Sequence, residues 1–204
     1  MKLVTLMPVV HIEKCIGCKT CAKVCPVLAM RVEDKVAGVN VERCRGCGDC
    51  EQRCPEYAIT MVLREEPVTA KVNMEGLDYE EIISLCRKAR FHPEQVVCYC
   101  TATRADEVAA AIMRGAKSPD DISCMTGIRT GCKVECIQPI LRLLEAAGIE
   151  PKPTPGGWQW YGRTITAWEI PEEVKKKYSS RGFYFDEDID LLNRVVNAPL
   201  QGKE

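Results

Sequence analysis

The sequence is poor in aromatic residues and in histidine, and its charges nearly cancel. Aromatic residues make up 6% of the 204 residues, there are two histidines, and the formal net charge is −1. A balanced charge gives no electrostatic reason to expect nucleic acid or an anionic membrane as a partner. The two histidines, His11 and His92, stand apart in the chain and lack metal-ligand spacing.

Long apolar runs and nucleotide-binding motifs are also missing. No run is long enough to span a bilayer, and the segment M-K-L-V-T-L-M-P does not resemble a signal peptide, so we expect a cytoplasmic protein. The sequence contains neither G-x-G-x-x-G nor a P-loop. We therefore expect no flavin or nicotinamide site in this chain and no two-electron substrate chemistry by this chain alone.

Cysteine is what the sequence has in excess, with 14 residues. These cysteines are counted in the hydrophobic content of 46%, so the supply of ordinary core residues is small. We expect metal ligation to replace part of the missing core stabilisation. In a reducing compartment, such a chain is more often a metal protein than a disulfide scaffold.

Eight of the cysteines lie in two runs of identical spacing. They read C-I-G-C-K-T-C-A-K-V-C-P from residue 15 and C-R-G-C-G-D-C-E-Q-R-C-P from residue 44. Three thiols at i, i+3 and i+6 on a tight loop can wrap one cubane cluster, with Gly17 and Gly46 relieving backbone crowding. Two zinc sites are the alternative. Two four-cysteine runs that both end in Cys-Pro favour iron–sulfur clusters.

The two runs belong to an internal repeat with an offset of 29 residues. V-H-I-E-K-C at 10–15 aligns with V-N-V-E-R-C at 39–44, and C-P-V-L-A-M at 25–30 aligns with C-P-E-Y-A-I at 54–59. Each unit reads as strand, cluster loop, short helix and strand. Neither unit can bury its apolar face alone, so we expect the two to pack together.

This pattern resembles the bacterial two-[4Fe-4S] ferredoxin over residues 1–66. The resemblance implies a βαβ βαβ domain in which the fourth cysteine of each run ligates the cluster of the other run. The implied ligands are Cys15, Cys18, Cys21 and Cys54 for one cluster, and Cys44, Cys47, Cys50 and Cys25 for the other. Small free ferredoxins are usually strongly acidic, whereas residues 1–66 hold ten Lys/Arg and nine Asp/Glu, which favours a built-in subunit.

Residues 67–94 read as a linker, at 67–77, followed by a helix. Asp78 with Glu81 three residues later is a capping-box pattern that predicts the start of the helix. Cys86 lies in the middle of this helix without a ligand-spaced neighbour. A buried structural thiol is the favoured interpretation.

A second cysteine constellation follows at 95–148. C-Y-C at 98–100 on an extended segment is completed by Cys132 and Cys136, and helices are predicted at 104–114, after Ser118 and at 134–147. C-Y-C, A-I-M-R-G-A and T-G-I-R-T-G-C-K-V-E-C resemble the bacterioferritin-associated ferredoxin-like (BFD-like) [2Fe-2S] domain. The resemblance implies a [2Fe-2S] cluster held by Cys98, Cys100, Cys132 and Cys136.

Two alternatives stay open for this constellation. The last cysteine pair has three intervening residues where two are common in the family, so Cys124 is a rival for the last ligand position. A helix-packing thiol is the preferred reading of Cys124. Four thiolates at these positions also suit tetrahedral zinc.

Residues 149–204 form a tail that carries three Trp, three Tyr and two Phe. W-Q-W-Y-G-R-T-I-T-A-W-E-I at 158–170 reads as a small hairpin, with helices at 171–177 and 188–197. The tail has too few apolar residues to fold alone and must pack on its own chain or dock on another. The whole chain is predicted to be α+β.

Three one-electron centres in one chain predict a relay of single electrons. The expected function is a non-catalytic electron-transfer subunit of a multi-subunit oxidoreductase, working between a flavin-containing dehydrogenase subunit and an acceptor. Both modules recur in the resembling families as parts of flavin-dependent dehydrogenases, which implies FAD or FMN in a partner of a hetero-oligomer. The alternatives are a free soluble ferredoxin-like carrier and a metal sensor or donor with zinc at the central cysteine site.

The crossed ligation predicts that Cys25→Ala damages the cluster of the second run. Adding Cys47→Ala to Cys25→Ala should then cost no further iron, whereas adding Cys18→Ala should cost about four more iron per chain. Iron analysis of the three purified variants checks this. The opposite pattern of losses would show that each run holds its own fourth ligand.

Overall fold

The computed structural model describes residues 2–156, 160 and 162–201. The first domain contains β1 (Lys2–Val10), α1 (Thr20–Val24), β2 (Met30–Glu33), β3 (Val36–Val39), α2 (Asp49–Gln52) and β4 (Ile59–Ala70). The second contains α3 (Tyr79–Lys88), β5 (Val96–Cys98), β6 (Thr103–Arg104), α4 (Ala105–Met113), α5 (Pro119–Thr126) and α6 (Ile137–Ala146). In the tail lie a 3₁₀ turn (Ala167–Glu169), α7 (Glu172–Ser179) and α8 (Phe185–Val196).

The first domain has the expected order of strand, helix and strand, taken twice. β1 pairs antiparallel with β4, and β2 pairs antiparallel with β3, so the outer strands of the two repeats meet and the inner strands meet. Pro8 lies opposite Met61 in a two-stranded sheet. A strand of such a sheet has a free edge, where the missing N–H donor of proline costs nothing.

The core of the first domain is small and contains thiols. Val27, Ala29, Met30, Ala37 and Ile59 are buried in one cluster, together with the thiols of Cys21, Cys25, Cys44 and Cys50. Short aliphatic side chains around cysteines bury little apolar area. The domain therefore depends on more than hydrophobic burial for its stability.

The second domain is a helical bundle whose ends follow local sequence signals. Asp78 caps α3 by accepting from Glu80 N at 2.9 Å, and Ser118 Oγ caps α5 by accepting from Asp121 N at 3.1 Å. Gly127 ends α5 with φ of 78°. The alanine-rich α4 is central, because its small buried side chains allow α3, α5 and α6 to pack closely around it.

Three element boundaries in the second domain and the tail differ from the sequence expectation. α4 is capped at Arg104, whose N–H donates to Glu107 Oε1 at 3.2 Å. α6 begins at Ile137 because the preceding residues form the loop between two cysteines, where Lys133 has φ of 63°. α8 begins at Phe185, three residues before the expected start.

The segment predicted as a linker at 67–77 starts as ordered strand. β4 continues to Ala70, and its last residues pair with Lys2 to Val4 of β1. Ala70 is buried, and Val72 belongs to the core of the helical domain. The alternating V-T-A-K-V pattern buries Ala70 and Val72 on one side, which is why this connection is structured.

The predicted tail hairpin at 158–170 lies partly outside the described residues. In its described part, residues 160 and 162–170, the chain forms the 3₁₀ turn instead of a strand. Trp168 Nε1 donates to Asn193 Oδ1 at 2.8 Å, and the guanidinium of Arg90 lies 5.4 Å from the centre of the Trp168 ring. The described tail thus packs in part on the helical domain. None of the described helices is long and apolar enough to cross a bilayer.

Gly17→Ala tests the tight approach of the first cysteine loop to the β2–β3 turn. Gly17 has φ of 67°, and a Cβ there would lie 2.6 Å from the carbonyl oxygen of Lys35. We expect a loss of about 2 kcal/mol or more in unfolding free energy of the first domain.

Gly38→Ala is the matched control, because a Cβ on Gly38 meets no atom within 4 Å. Thermal melting followed by circular dichroism measures both variants. Equal stability of the two would contradict the tight packing of the Gly17 loop.

Candidate metal centres

The first cysteine loop and one cysteine of the second run surround a common cavity. Cys15, Cys18 and Cys21 line it together with Cys54, and its empty space is about 340 Å³, part of it open to solvent. We call these four thiols the outer site. A 3₁₀ turn at Ile12–Lys14, directly before Cys15, and the start of α1 at Thr20 set the path of the loop around the cavity.

The second loop and one cysteine of the first run surround an equivalent cavity. Cys44, Cys47 and Cys50 line it together with Cys25, around an empty space of about 310 Å³. We call these four thiols the inner site. The structure thus brings together the two crossed sets of four cysteines that the resemblance implied.

Backbone N–H groups donate to thiols at both sites. The bonds are Ala29 N to Cys25 Sγ (3.2 Å), Ala58 N to Cys54 Sγ (3.3 Å), Ala37 N to Cys15 Sγ (3.4 Å) and Gly46 N to Cys44 Sγ (3.4 Å). Ala29 and Ala58 occupy equivalent repeat positions, so the repeat places the same donor at both crossing cysteines. Donors of this kind stabilise negative charge on sulfur and raise the reduction potential of a bound cluster.

The donor set fits an iron–sulfur cluster at each site. Burial, assisted at Cys47 by the Asp49 carboxylate, raises the pKa of the Cys47 and Cys50 thiols to about 12. Apolar surroundings disfavour a lone thiolate, whereas iron supplies the positive charge that holds it deprotonated. Among the described residues, no group of three or more His, Cys, Asp or Glu side chains is arranged to hold a single metal ion.

The helical domain brings together its own four cysteines in two pairs, which we call the helical-domain site. Cys98 at the end of β5 and Cys136 at the start of α6 are 2% and 1% exposed. Their thiols are hydrogen-bonded, which lowers the pKa of Cys98 to about 5 and raises the pKa of Cys136. Cys100 and Cys132 form the exposed pair, joined by a bond of 3.4 Å from Cys132 N to Cys100 Sγ.

Gly131 permits the approach of the exposed pair. A Cβ at this position would lie 2.4 Å from Cys100 Cβ and 2.8 Å from its sulfur. Any side chain at 131 would therefore separate Cys100 from Cys132. Gly131 thus has a steric role that was not predicted from the sequence.

The two remaining cysteines lie elsewhere. Cys124 faces the first domain, where Arg45 donates to its sulfur at 3.4 Å and to its carbonyl oxygen at 2.6 Å. Cys86 is fully buried in the helical core, and burial raises its pKa to about 12. Cys136, rather than Cys124, is paired with Cys98. Both placements agree with packing roles for Cys86 and Cys124.

The polar contacts between the two domains were not predicted from the sequence. Lys133 Nζ lies 2.5 Å from Asp49 Oδ2 and donates to the Val24 carbonyl at 2.9 Å. Lys2 Nζ donates to Thr130 Oγ1. These partners are more than 80 residues apart in the chain, so no local pattern could have indicated them.

Comparison with known proteins gives two family matches. Residues 7–55 match the 4Fe-4S dicluster domain, and residues 96–146 match the BFD-like [2Fe-2S] binding domain. No curated protein and no solved structure matches the chain. The chain is therefore an iron–sulfur protein of the electron-carrier class. In particular, it joins a ferredoxin-type dicluster domain to a BFD-like [2Fe-2S] domain, as the resemblances indicated.

Gly131→Ala is expected to abolish the helical-domain centre selectively, because the added Cβ forces Cys100 away from Cys132. The [2Fe-2S] electron paramagnetic resonance (EPR) signal should be lost while the [4Fe-4S] signals remain. Gly162→Ala is the control, since a Cβ there meets no atom within 4 Å. An intact [2Fe-2S] signal in Gly131→Ala would refute the steric role.

Proposed function

We propose that this chain is the electron-transfer subunit of a multi-subunit oxidoreductase. It would hold two [4Fe-4S] clusters and one [2Fe-2S] cluster and relay single electrons between a flavin-containing dehydrogenase subunit and an acceptor. The observation that carries the proposal is the gathering of twelve cysteines into three four-thiol sites within one chain. A bound iron–sulfur cluster supplies one-electron chemistry, which a flavin can match by releasing electrons singly.

The protein's own residues hold each centre and control its surroundings. Backbone N–H groups stabilise negative charge on the sulfurs, and buried aliphatic side chains limit the access of water. Exposed thiols occur at Cys18 in the outer site and at Cys100 and Cys132 in the helical-domain site. Each of these sites thus has an edge at the surface, where a redox partner can approach.

Two features favour a subunit over a free carrier. Residues 1–66 lack the acidic surface of a diffusing ferredoxin, with ten basic and nine acidic residues. The described tail leaves large apolar side chains at the surface, among them Phe183 (53% exposed), Tyr184 (60%), Leu191 (53%) and Val195 (50%). Such side chains are typical anchors in protein interfaces. We place FAD or FMN in the partner subunit.

A free carrier is the second candidate, and the packing of the tail favours it. His92 Nε2 lies 3.1 Å from the Ala198 carbonyl oxygen, and Gln201 N donates to Glu94 Oε2 at 3.0 Å. The tail thus has an anchor on its own chain and does not need a partner to hold it. Zinc at the helical-domain site, in a sensor or donor, is the third candidate.

Metal analysis separates the relay from the zinc candidate. Anaerobically purified protein should contain about ten iron per chain, from two four-iron clusters and one two-iron cluster. About eight iron with one zinc would contradict the [2Fe-2S] assignment.

Purification from the native host under mild conditions separates the subunit from the free carrier. The chain is expected to co-purify with a flavin-containing protein, and native mass spectrometry with flavin fluorescence would detect the complex. Isolation as a monomer with all clusters and no flavoprotein would favour the free carrier.

A further inference from the structure

One lysine joins the cysteine loops of two different sites. Lys133 directly follows Cys132 of the helical-domain site, and its ammonium contacts Asp49 at 2.5 Å and the Val24 carbonyl at 2.9 Å. Asp49 stands between Cys47 and Cys50 in the sequence, and Val24 directly precedes Cys25. The ammonium of Lys133 therefore contacts the residues that directly precede two thiols of the inner site, Cys50 and Cys25.

A second lysine occupies the same boundary from the other side. The ammonium of Lys2, at the start of β1, donates to Thr130 Oγ1, two residues before Cys132. Lys2 lies within electrostatic range of Cys47 in the inner site, of Cys98 and Cys100 in the helical-domain site, and of Asp49. Lys2 and Lys133 thus place two positive charges between these two sites.

The residues that line the outer cavity all belong to the first domain, from Cys15 to Ile59. The contacts described above from the helical domain reach Lys2, Val24, Arg45 and Asp49, of which Arg45 and Asp49 line the inner cavity. These contacts place the helical-domain site next to the inner site.

We propose that the three sites act in series, with the inner site in the middle, and that Lys133 and Lys2 form the electrostatic junction between the inner and helical-domain sites. This rests on the proposed electron-carrier function and adds the order of transfer and two positioning residues. In the step across the junction, a single electron would pass from the reduced site to the oxidised site. No bond forms or breaks.

The junction has a physical basis in charge and in connectivity. A positive charge between two sites favours the added electron at either one, and its effect is larger in this partly buried position than in water. The side chain of Lys133 and its hydrogen bond to Val24 also form a continuous path from Cys132 to Cys25 with one non-covalent gap of 2.9 Å. The carboxylate of Asp49 offsets part of the positive charge of Lys133.

EPR of the purified protein with its clusters tests the order. We expect the [2Fe-2S] signal to broaden and relax faster once the inner site is also reduced, because the two unpaired spins are close. Cys18→Ala, which removes an outer ligand, should leave this broadening, whereas Cys50→Ala, which removes an inner ligand, should abolish it. Broadening that depends on the outer site, or no broadening in the intact protein at full reduction, would overturn the series.

Redox titration tests the lysines. Lys133→Gln should lower the reduced-to-oxidised ratio of the inner and helical-domain sites by about threefold to tenfold at fixed potential, because a nearby positive charge is removed. Asp49→Asn should shift both sites in the opposite direction. Lys133→Arg should preserve the wild-type potentials, and Lys117→Gln, at an exposed position away from the junction, is the matched control.

The outcomes separate a charge effect from a structural one and from failure of the proposed function. Unchanged potentials in Lys133→Gln, or an equal shift at the outer site, would overturn the junction. Full iron content without spin coupling would refute the series while leaving the carrier function intact. Zinc in the helical-domain site would refute both. Absence of a flavoprotein partner would affect only the proposed subunit role.

Discussion

The crossed placement of Cys25 and Cys54 is the constraint on which the first domain depends. Each of these thiols leaves its own run and lines the cavity of the other run, so each cavity is built from both repeats. The apolar core between the repeats is small and consists largely of short side chains. A ligand held at either cavity therefore ties the two repeats together, and metal binding and folding become one equilibrium. The antiparallel pairing of β1 with β4 also joins the two repeats, through backbone hydrogen bonds.

Local signals predicted much of this structure. Cysteine spacing indicated the three thiols of each loop, because the spacing acts within a single loop and the repeat duplicates it, while the crossed fourth thiol followed from the resemblance to the two-cluster ferredoxin. The caps at Asp78 and Ser118 lie where the sequence placed them. The three-thiol loops and these helix caps share one property, which is that their partners stand within a few residues along the chain.

Features that depend on distant partners were missed. Lys133 binds Val24 across 109 positions, and nothing in K-V-E-C distinguishes this lysine from one exposed to solvent. The extension of β4 to Ala70 depends on pairing with Lys2, at the other end of the domain. The described part of the expected tail hairpin forms a 3₁₀ turn, whose Trp168 donates to Asn193 Oδ1, 25 positions along the chain. The cysteines that line the sites could thus be predicted from the sequence, whereas the contacts that join one site to another could not.

The length of β4 has a mechanical consequence. This strand begins at Ile59 beside the outer cavity and ends at Ala70, whose side chain lies against Gly127 of the helical domain. Because Lys2 pairs with Ala70 and also bonds to Thr130, the end of this sheet is tied to the helical domain, and a hinge rotation of the domains would have to break this interdomain bond. For the proposed relay, such a tie favours a fixed spacing between the sites, in contrast to carriers whose domains swing between donor and acceptor. Transfer within the chain would then be governed by distance and driving force rather than by the timescale of domain motion.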